Sequence, residues 1–414
     1  MSNNSWKISW IFPLLVLFLT WSLLGAYITV FARSWLWLLV GCVFVLIICP
    51  SYYTQRSMVW MGAFIIMVFL NYISGDRYYN NIISACYEFE ILLFSSVLAY
   101  FCFQQHNERT AVVIIVELFI IITVSSIATY LLDLVYPGIL RKCIGEVTKG
   151  TDPLIMRNYL RLGMANYSLP HALPIIVPPL IMGIKNKEQK FITRIVLTVV
   201  LFLTILLIYV SGVATAILIT VMVLFMAVFT RVGNVKHNSV RLAIIVLLFM
   251  PFLFNSDLTV SAIDFICDLV GRRGVFYYRL VDIQESIIYD QMQGDVSARV
   301  NLYTLSFDAF LSSILWGSNI KMGGHSALLD RLATLGLIGF VPYVVFIWKQ
   351  MKTTYVIIPP NSKTFYLEGL LAGVIMLMTK NMSNWDVWLM MFFLLPAIIL
   401  RFGSKDNTEI MSSE

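Results

Sequence analysis

The stretch from Gly294 to Asp330 holds side chains suited to bind an anion and to move a proton. Ser297 predicts a helix N-cap, which would place Arg299 in the first helical turn, where unpaired backbone N–H groups and the helix dipole attract negative charge. A guanidinium adds a planar fork of donors that matches phosphate oxygens. This pattern predicts a diphosphate site, and the alternative is that Arg299 is an ordinary solvated helix residue.

A histidine follows two glycines shortly before the next apolar run. His325 comes after Gly323 and Gly324, and the apolar helix predicted after it contains Asp330 near its outer end. Imidazole is the side chain best suited to accept a hydroxyl proton near neutral pH, and glycines allow close approach of a substrate. His325 is therefore a candidate base, with a capping or interfacial histidine as the alternative.

A second basic segment lies between residues 136 and 171. Arg157 and Arg161 are four residues apart, on one face if the segment is helical, and the run continues through Asn166 to His171. The two arginines would hold a second phosphate or a glycan. Alternatively, they pair with the acidic residues that predominate in 257–325, which would dock one loop on the other.

Several other chemistries lack their motifs. The sequence contains no Walker motif, no Gly-x-Ser-x-Gly, no HExxH and no cysteine pair with metal-ligand spacing, so we expect no metal and no cofactor. Acidic residues within apolar runs, Glu88, Glu90 and Glu117, leave a proton-coupled transporter open. The net charge of +6 is spread over short loops and does not indicate nucleic-acid binding.

The elements that would position these side chains lie in a membrane. The 414 residues are 59% hydrophobic and 13% charged, with a mean hydropathy of +0.83, whereas soluble domains are roughly 45–50% apolar and about 25% charged. We therefore expect one all-α integral membrane domain over residues 1–414. Because a helix needs roughly 20 apolar residues to cross the bilayer, we predict twelve spans. They are residues 9–31, 35–52, 57–74, 82–103, 111–135, 168–184, 191–210, 212–230, 241–256, 326–348, 364–380 and 385–401.

The distribution of basic residues predicts the orientation. With both termini in the cytoplasm, the short segments outside carry only Arg33, Arg77 and Lys380, as the positive-inside rule requires. The segments inside carry Lys7, Arg56, Arg109, Lys185, Lys187, Lys190, Arg194, Arg231, Lys236, Arg241, Lys349, Lys352, Lys363, Arg401 and Lys405. This count favours twelve spans with cytoplasmic termini.

Two long loops, 136–167 and 257–325, are expected on the outer face. In the second, Val300, Tyr303, Phe307, Phe310, Leu311 and Ile314 recur at intervals of three and four. That spacing predicts an amphipathic helix that lies on the membrane surface or caps a cavity. Cys143 and Cys267 fall one in each loop, so they are either a disulfide or two unpaired thiols.

Four short strings between residues 297 and 339 resemble O-antigen and exopolysaccharide polymerases. These polymerases belong to the superfamily that also contains the O-antigen ligases. They are Ser297-Ala-Arg299, Trp316-Gly317, Gly324-His-Ser-Ala-Leu-Leu-Asp330 and Gly336-Leu-Ile-Gly339. The segment Arg161-Leu-Gly-Met-Ala-Asn166 and the turn Ser211-Gly-Val-Ala-Thr215 are also similar to that superfamily, although the turn lacks the arginine often found there.

The resemblance implies a metal-independent, inverting glycosyltransferase of the GT-C type in the bacterial inner membrane, active on the periplasmic face. Donor and acceptor would both be oligosaccharides on undecaprenyl diphosphate, and a chain-length regulator would be a partner. Arg299, with Arg157 or Arg161, would bind the departing diphosphate, and His325 would orient or deprotonate the acceptor hydroxyl. Asn166, His171, Tyr303 and Asp330 are further candidates for substrate binding.

Two other functions stay open. An O-antigen ligase would hand the glycan to lipid A core, although the string His325-Ser-Ala-Leu-Leu329 favours the polymerase. A polysaccharide transporter would show charged residues along a path through the membrane and internal repeats. Few such charges and no repeat are present in the sequence.

Overall fold

A computed structural model describes most of the chain from residue 50 onward. The described residues are 50–74, 82–104, 108–136, 138–140, 159, 162–166, 168–231, 256–271, 277, 280–281, 284, 294–318, 322, 326–380 and 385–403. The prediction of an all-α chain is confirmed for this part, which is helical and contains no strand.

The described helices follow the apolar runs of the sequence. They are α1 Ser57–Ile73, α2 Ile82–Phe103, α3 Glu108–Val135, α4 Ser168–Lys185, α5 Phe191–Val210, α6 Ala214–Phe229, α7 Ser256–Val270, α8 Gly294–Ser312, α9 Ala327–Ile357, α10 Lys363–Thr379 and α11 at residues 385–402. Short 3-10 turns at Pro50–Thr54 and Pro360–Ser362 precede α1 and α10. A π turn at Met390–Leu394 interrupts α11.

Four of these helices, α3, α4, α5 and α9, are long and apolar enough to cross a membrane. Helix α1 and the apolar parts of α2 and α6 are shorter. Of the twelve predicted spans, 9–31, 241–256 and most of 35–52 lie outside the described residues. The chain is therefore a helical membrane protein, and the full number of crossings stays a prediction.

Helix α4 is the centre of the bundle. In its most apolar stretch of 18 residues, 89% are buried, against 28% for α5. Four prolines, the first at Pro170, remove backbone donors from α4, and the 3-10 turn Leu173–Ile176 lies among them. Non-helical backbone at this depth requires surrounding protein. Helices α5, α6, α10 and α11 all contact it.

Two glycines let α10 pack closely on its neighbours. A Cβ at Gly369 would lie 2.7 Å from the Ile175 carbonyl oxygen of α4, and one at Gly373 would lie 2.5 Å from the Met391 sulfur of α11. Their spacing of four residues places both on one face of α10, as in small-residue packing motifs of membrane helices. Neither glycine was predicted to have a structural role.

The two ends of the bundle differ in charge. We call the end at which α4 and α9 begin the loop end, because residues 136–167 and 257–325 join the bundle there. The opposite end, called the basic end, carries Arg56, Lys185 and Lys352. There the Lys185 amine donates to the carbonyls of Ala227 and Thr230, each at 2.8 Å, and so caps the C-terminus of α6.

Candidate functional site

Helix α8 begins earlier than the sequence predicted. It starts at Gly294, so Ser297 lies inside its first turn and is not the N-cap. Arg299 therefore falls in the second turn, and its side chain lies outside the described part of the chain. The predicted N-cap was wrong because Gly294 and Asp295, which read as loop residues, continue the helix toward its N-terminus.

Only part of the predicted apolar stripe of α8 faces protein. Tyr303 and Phe310 are partly buried, and Ser306, between them on the same face, is 1% exposed. In contrast, Phe307 and Leu311 stay 49% and 50% exposed. The helix thus packs one narrow face on the bundle and leaves an apolar face uncovered within the described structure. An uncovered apolar face agrees with the predicted position at a membrane surface.

Two side chains one turn apart fasten α8 to the bundle. The Tyr303 hydroxyl donates to the Thr379 carbonyl at the end of α10, at 3.3 Å, and the Ser306 hydroxyl donates to Asp330 Oδ1 at 2.8 Å. Asp330 is 4% exposed and lies in the first turn of α9, where a carboxylate is also stabilised by the helix dipole. Two predicted substrate-binding residues, Tyr303 and Asp330, therefore have a positioning role in this structure.

The start of α9 is fixed by side chain and backbone together. The Ser326 hydroxyl oxygen accepts a hydrogen bond from the Leu329 amide at 3.2 Å, as an N-cap does. The Ala327 amide donates to the Lys380 carbonyl at 3.2 Å, which ties this turn to the end of α10. His325, the candidate base, precedes Ser326 in the chain and lies outside the described residues.

A buried arginine follows Asp330. Arg331 is 5% exposed, its Nη1 donates to the Ala327 carbonyl at 3.1 Å, and its guanidinium carbon lies 5.1 Å from the centre of the Tyr343 ring. A carbonyl and an aromatic face together stabilise a cation that is removed from water. The sequence predicted no role for Arg331, although it directly follows Asp330 near the predicted helix start.

The turn after α8 crosses a break in α9 at two glycines. Gly317 and Gly336 have φ of +81° and +59°, in the region that favours glycine. A Cβ at Gly317 would lie 2.6 Å from the Gly336 nitrogen and would overlap the Thr334 carbonyl; one at Gly336 would overlap Gly317 and Leu315. The two backbones thus meet where neither tolerates a side chain.

The carbonyls released by this break find new donors. The Ser318 amide donates to the Ala333 carbonyl at 2.8 Å, and the Asn71 side-chain amide of α1 donates to the Thr334 carbonyl at 3.3 Å. The amides released by the break also find acceptors. The Leu337 amide of α9 donates to the Ile314 carbonyl, just after α8, at 2.9 Å. Because the unpaired groups are satisfied, α9 tolerates a break inside a candidate membrane span.

The first loop returns to the bundle through a polar junction. Asn166 Oδ1 accepts from the Leu169 amide at 2.9 Å and so caps α4, while its Nδ2 is buried without a hydrogen-bond partner among the described residues. The Ala165 amide donates to the Thr129 hydroxyl at 2.9 Å, and the Ser168 hydroxyl donates to the Asp386 carboxylate of α11.

His171 is the described histidine of this junction, and it is fully buried in α4. Arg157 and Arg161 lie outside the described residues. The structure therefore brings Asn166 and His171 to the loop end, on a helix that contacts α10. Helix α8 and the start of α9 contact the C-terminal end of α10. Their substrate-binding role stays a prediction.

Buried polar side chains collect at the loop end of the helical bundle. Asp330, Arg331, Asp386 and His171 are each at most 5% exposed, and the hydrogen bonds between elements run through them or their neighbours. Within the described residues, no three His, Cys, Asp or Glu side chains come together as a metal site would need. Cys267 is buried beside Ile263 and Leu280, while Cys143 lies outside the described residues, so their pairing stays a prediction.

No protein-family model matches this sequence, and no curated protein matches it. The fold and the geometry of the loop end are therefore the grounds on which a function is argued.

Proposed function

We propose that this chain is a polysaccharide polymerase of the inner membrane. It would be a GT-C type bundle of twelve spans with cytoplasmic termini, which joins repeat units carried on undecaprenyl diphosphate at its periplasmic face. The loop end would be that face. The bilayer would hold donor and acceptor by their lipid chains, so the protein gains proximity without a deep pocket for a soluble substrate.

The observation that carries the proposal is the contact between strings that resemble this family. Trp316-Gly317 and Gly336-Leu-Ile-Gly339 are far apart in sequence, yet their backbones cross at Gly317 and Gly336. The helix that carries Ser297-Ala-Arg299 is bound through Ser306 to Asp330, the last residue of the string that contains His325. A shared site explains why glycines, a cap and a carboxylate occur at these positions.

The chemistry would divide between a cation and a base. The acceptor sugar hydroxyl oxygen attacks the anomeric carbon of the donor glycan, while the bond from that carbon to the diphosphate oxygen breaks with its electron pair. Arg299, with Arg157 or Arg161, stabilises the negative charge on the leaving diphosphate. His325 takes the hydroxyl proton. Attack opposite the leaving group inverts the anomeric configuration, and no metal takes part.

The described residues would act by position. Asp330 and Tyr303 hold α8 against α9 and α10, which sets where Arg299 is displayed relative to the start of α9. Asn166 caps α4 at the polar junction and keeps a buried amide without a partner there. An amide of this kind is suited to donate a hydrogen bond to a sugar hydroxyl, because a buried donor without an acceptor costs free energy.

The test is the surface polysaccharide of a deletion strain of the source bacterium. The strain is complemented with wild type, Arg299→Ala or His325→Ala at matched membrane levels, and lipopolysaccharide is resolved by length. We expect the deletion to leave core with a single repeat unit, wild type to restore a ladder, and both variants to fail.

Other outcomes point elsewhere. Core without any repeat unit in the deletion strain would indicate a ligase or a transporter instead. Ladders of normal intensity from both variants would contradict the assignment of Arg299 and His325. Lys187→Ala, an exposed basic residue at the basic end, is the matched control and should restore the full ladder.

A further inference from the structure

A cleft at the basic end stands apart from the site described above. Its volume is about 830 Å³, and it lies between the start of α1, the end of α2 and the last turns of α9. Pockets that hold small ligands usually measure roughly 300–1,000 Å³, so this cleft has room for a sizeable polar group. Nothing in the proposed polymerase reaction uses it.

The charge lining this cleft has one sign. Arg56, Lys349 and Lys352 line it, and none of its lining residues is Asp or Glu. Within the described part of the chain, the ends of these three side chains have no carboxylate partner. Three cations around one volume repel one another in the absence of a counter-charge, and they attract an anion. The cleft is therefore suited to phosphate.

A buried hydrogen-bond network adjoins the cleft at Ser57, one of its lining residues. The Gln350 side-chain amide of α9 donates to the Tyr52 hydroxyl at 3.2 Å and to the Ser57 hydroxyl at 3.3 Å, and the Tyr52 and Ser96 hydroxyls are 2.6 Å apart. This buried network joins the start of α1 to α2 and α9. Arg56 precedes α1, whose N-terminus has no side-chain cap. The cations thus project from elements that hydrogen bonds hold in place.

Apolar side chains flank the cations on α9. Trp348 is 65% exposed and Val356 is 70% exposed, and both line the cleft. A soluble anion makes no use of such groups. An anionic phospholipid does, because its acyl chains contact the apolar residues while its headgroup meets the cations.

We propose that this cleft binds the headgroup of an anionic phospholipid, with Arg56, Lys349 and Lys352 as the phosphate-binding residues. The bound lipid would join α1, α2 and α9 at the basic end. It would act as a structural lipid, separate from the lipid-linked substrates at the loop end.

The purified full-length protein in a neutral detergent provides the test. Its melting temperature is measured with phosphatidylglycerol, with phosphatidylcholine and with inorganic phosphate as added probes. We expect phosphatidylglycerol alone to raise it, and Lys349→Gln with Lys352→Gln to weaken the apparent affinity about fivefold for each lysine removed. Lys187→Gln with Lys190→Gln removes two exposed charges from the same end outside the cleft and should leave the affinity unchanged.

Three results would overturn the proposal. They are an equal loss in both double variants, a phosphate effect as large as that of phosphatidylglycerol, and no effect of any probe. If the first double variant does not fold, Arg56→Gln, an exposed residue outside the buried network, takes its place with the same expectation. Glycan polymerisation is a separate readout, so failure here leaves the proposed function untouched.

Discussion

At the scale of single residues, the loop end depends on short polar contacts between helices. Ser306 and Asp330 form one such pair, Ser168 and Asp386 form another, and Ser326 caps α9. Each group is at most 5% exposed, so a lost partner cannot be replaced by bulk water. Single substitutions at these contacts should destabilise the packing of the loop end, and loss of the Ser306–Asp330 pair should weaken the attachment of α8.

Asp330→Ala should destabilise the protein by about 1–3 kcal/mol, because it leaves the buried Ser306 hydroxyl without its acceptor. Asp330→Asn should cost less, since the amide oxygen still accepts that hydrogen bond. Thermal unfolding of the purified protein in detergent measures both. The matched control is Asp308→Ala, an exposed carboxylate on α8, which we expect to change stability by less than about 0.5 kcal/mol. Equal costs at Asp308 and Asp330 would contradict the contact.

Some of these residues could be predicted from sequence and others could not. Asp330 and Asn166 were found because each ends a short string that resembles the polymerase superfamily. Ser306 was missed because a lone serine in an amphipathic pattern gives no indication of a partner 24 residues away. Arg331 was missed for a similar reason, since its burial depends on the Tyr343 ring, which lies beyond the break in the same helix.

At the scale of elements, the crossing of the α8–α9 connection over the break in α9 is the most demanding feature. It needs two left-handed glycines, new donors for the released carbonyls of Ala333 and Thr334, and a new acceptor for the released Leu337 amide. The sequence displayed the two glycine strings, but their contact depends on a tertiary approach that periodicity does not encode.

Gly336→Ala and Gly317→Ala should each cost well over the roughly 1–2 kcal/mol that a left-handed conformation costs an L residue, because the added Cβ also meets backbone. Gly138→Ala separates the two effects, since Gly138 has φ of +75° but open space around its Cβ. Gly62→Ala has neither constraint and should be neutral or slightly stabilising. Thermal unfolding of the four variants tests this order. A Gly336→Ala variant no less stable than Gly138→Ala would contradict the crossing.

Helix positions were predicted better than helix ends. Hydropathy located α1, α2 and α5 within a residue or two, because their apolar runs end where their helices end. The span predicted at 326–348 continues to Ile357 in the structure, since backbone hydrogen bonding does not stop where Lys349 and Lys352 enter water. For the same reason Gly294 and Asp295 belong to α8, although they look like loop residues.

At the scale of the whole molecule, the two ends of the described bundle carry different polar groups. Asp330, Asp386 and the helix caps of the candidate site lie at the loop end, while the cations that line the cleft lie at the basic end. Composition alone predicted a helical membrane protein, because so large an apolar fraction has no other way to be covered. The packing order around α4 was not predictable, since it depends on which apolar faces contain glycines and prolines.

The proposed orientation, with both termini in the cytoplasm, rests on the distribution of Lys and Arg and can be measured directly. A reporter active only in the cytoplasm, fused before residue 1 or after residue 414, should be active in both fusions. The same reporter inserted at Arg272, in the second loop, should be inactive. Different activities at the two termini would require an odd number of spans and would contradict the twelve-span topology.

The central claim is that this chain alone joins lipid-linked repeat units, and purified protein in proteoliposomes tests it most directly. The vesicles receive an undecaprenyl diphosphate-linked single repeat unit, and the lipid-linked products are resolved by length. We predict a ladder from wild type and none from His325→Ala or Arg299→Ala, at wild-type melting temperatures and without added metal. Folded wild type that leaves the repeat unit unextended, or ladders undiminished in both variants, would contradict the account.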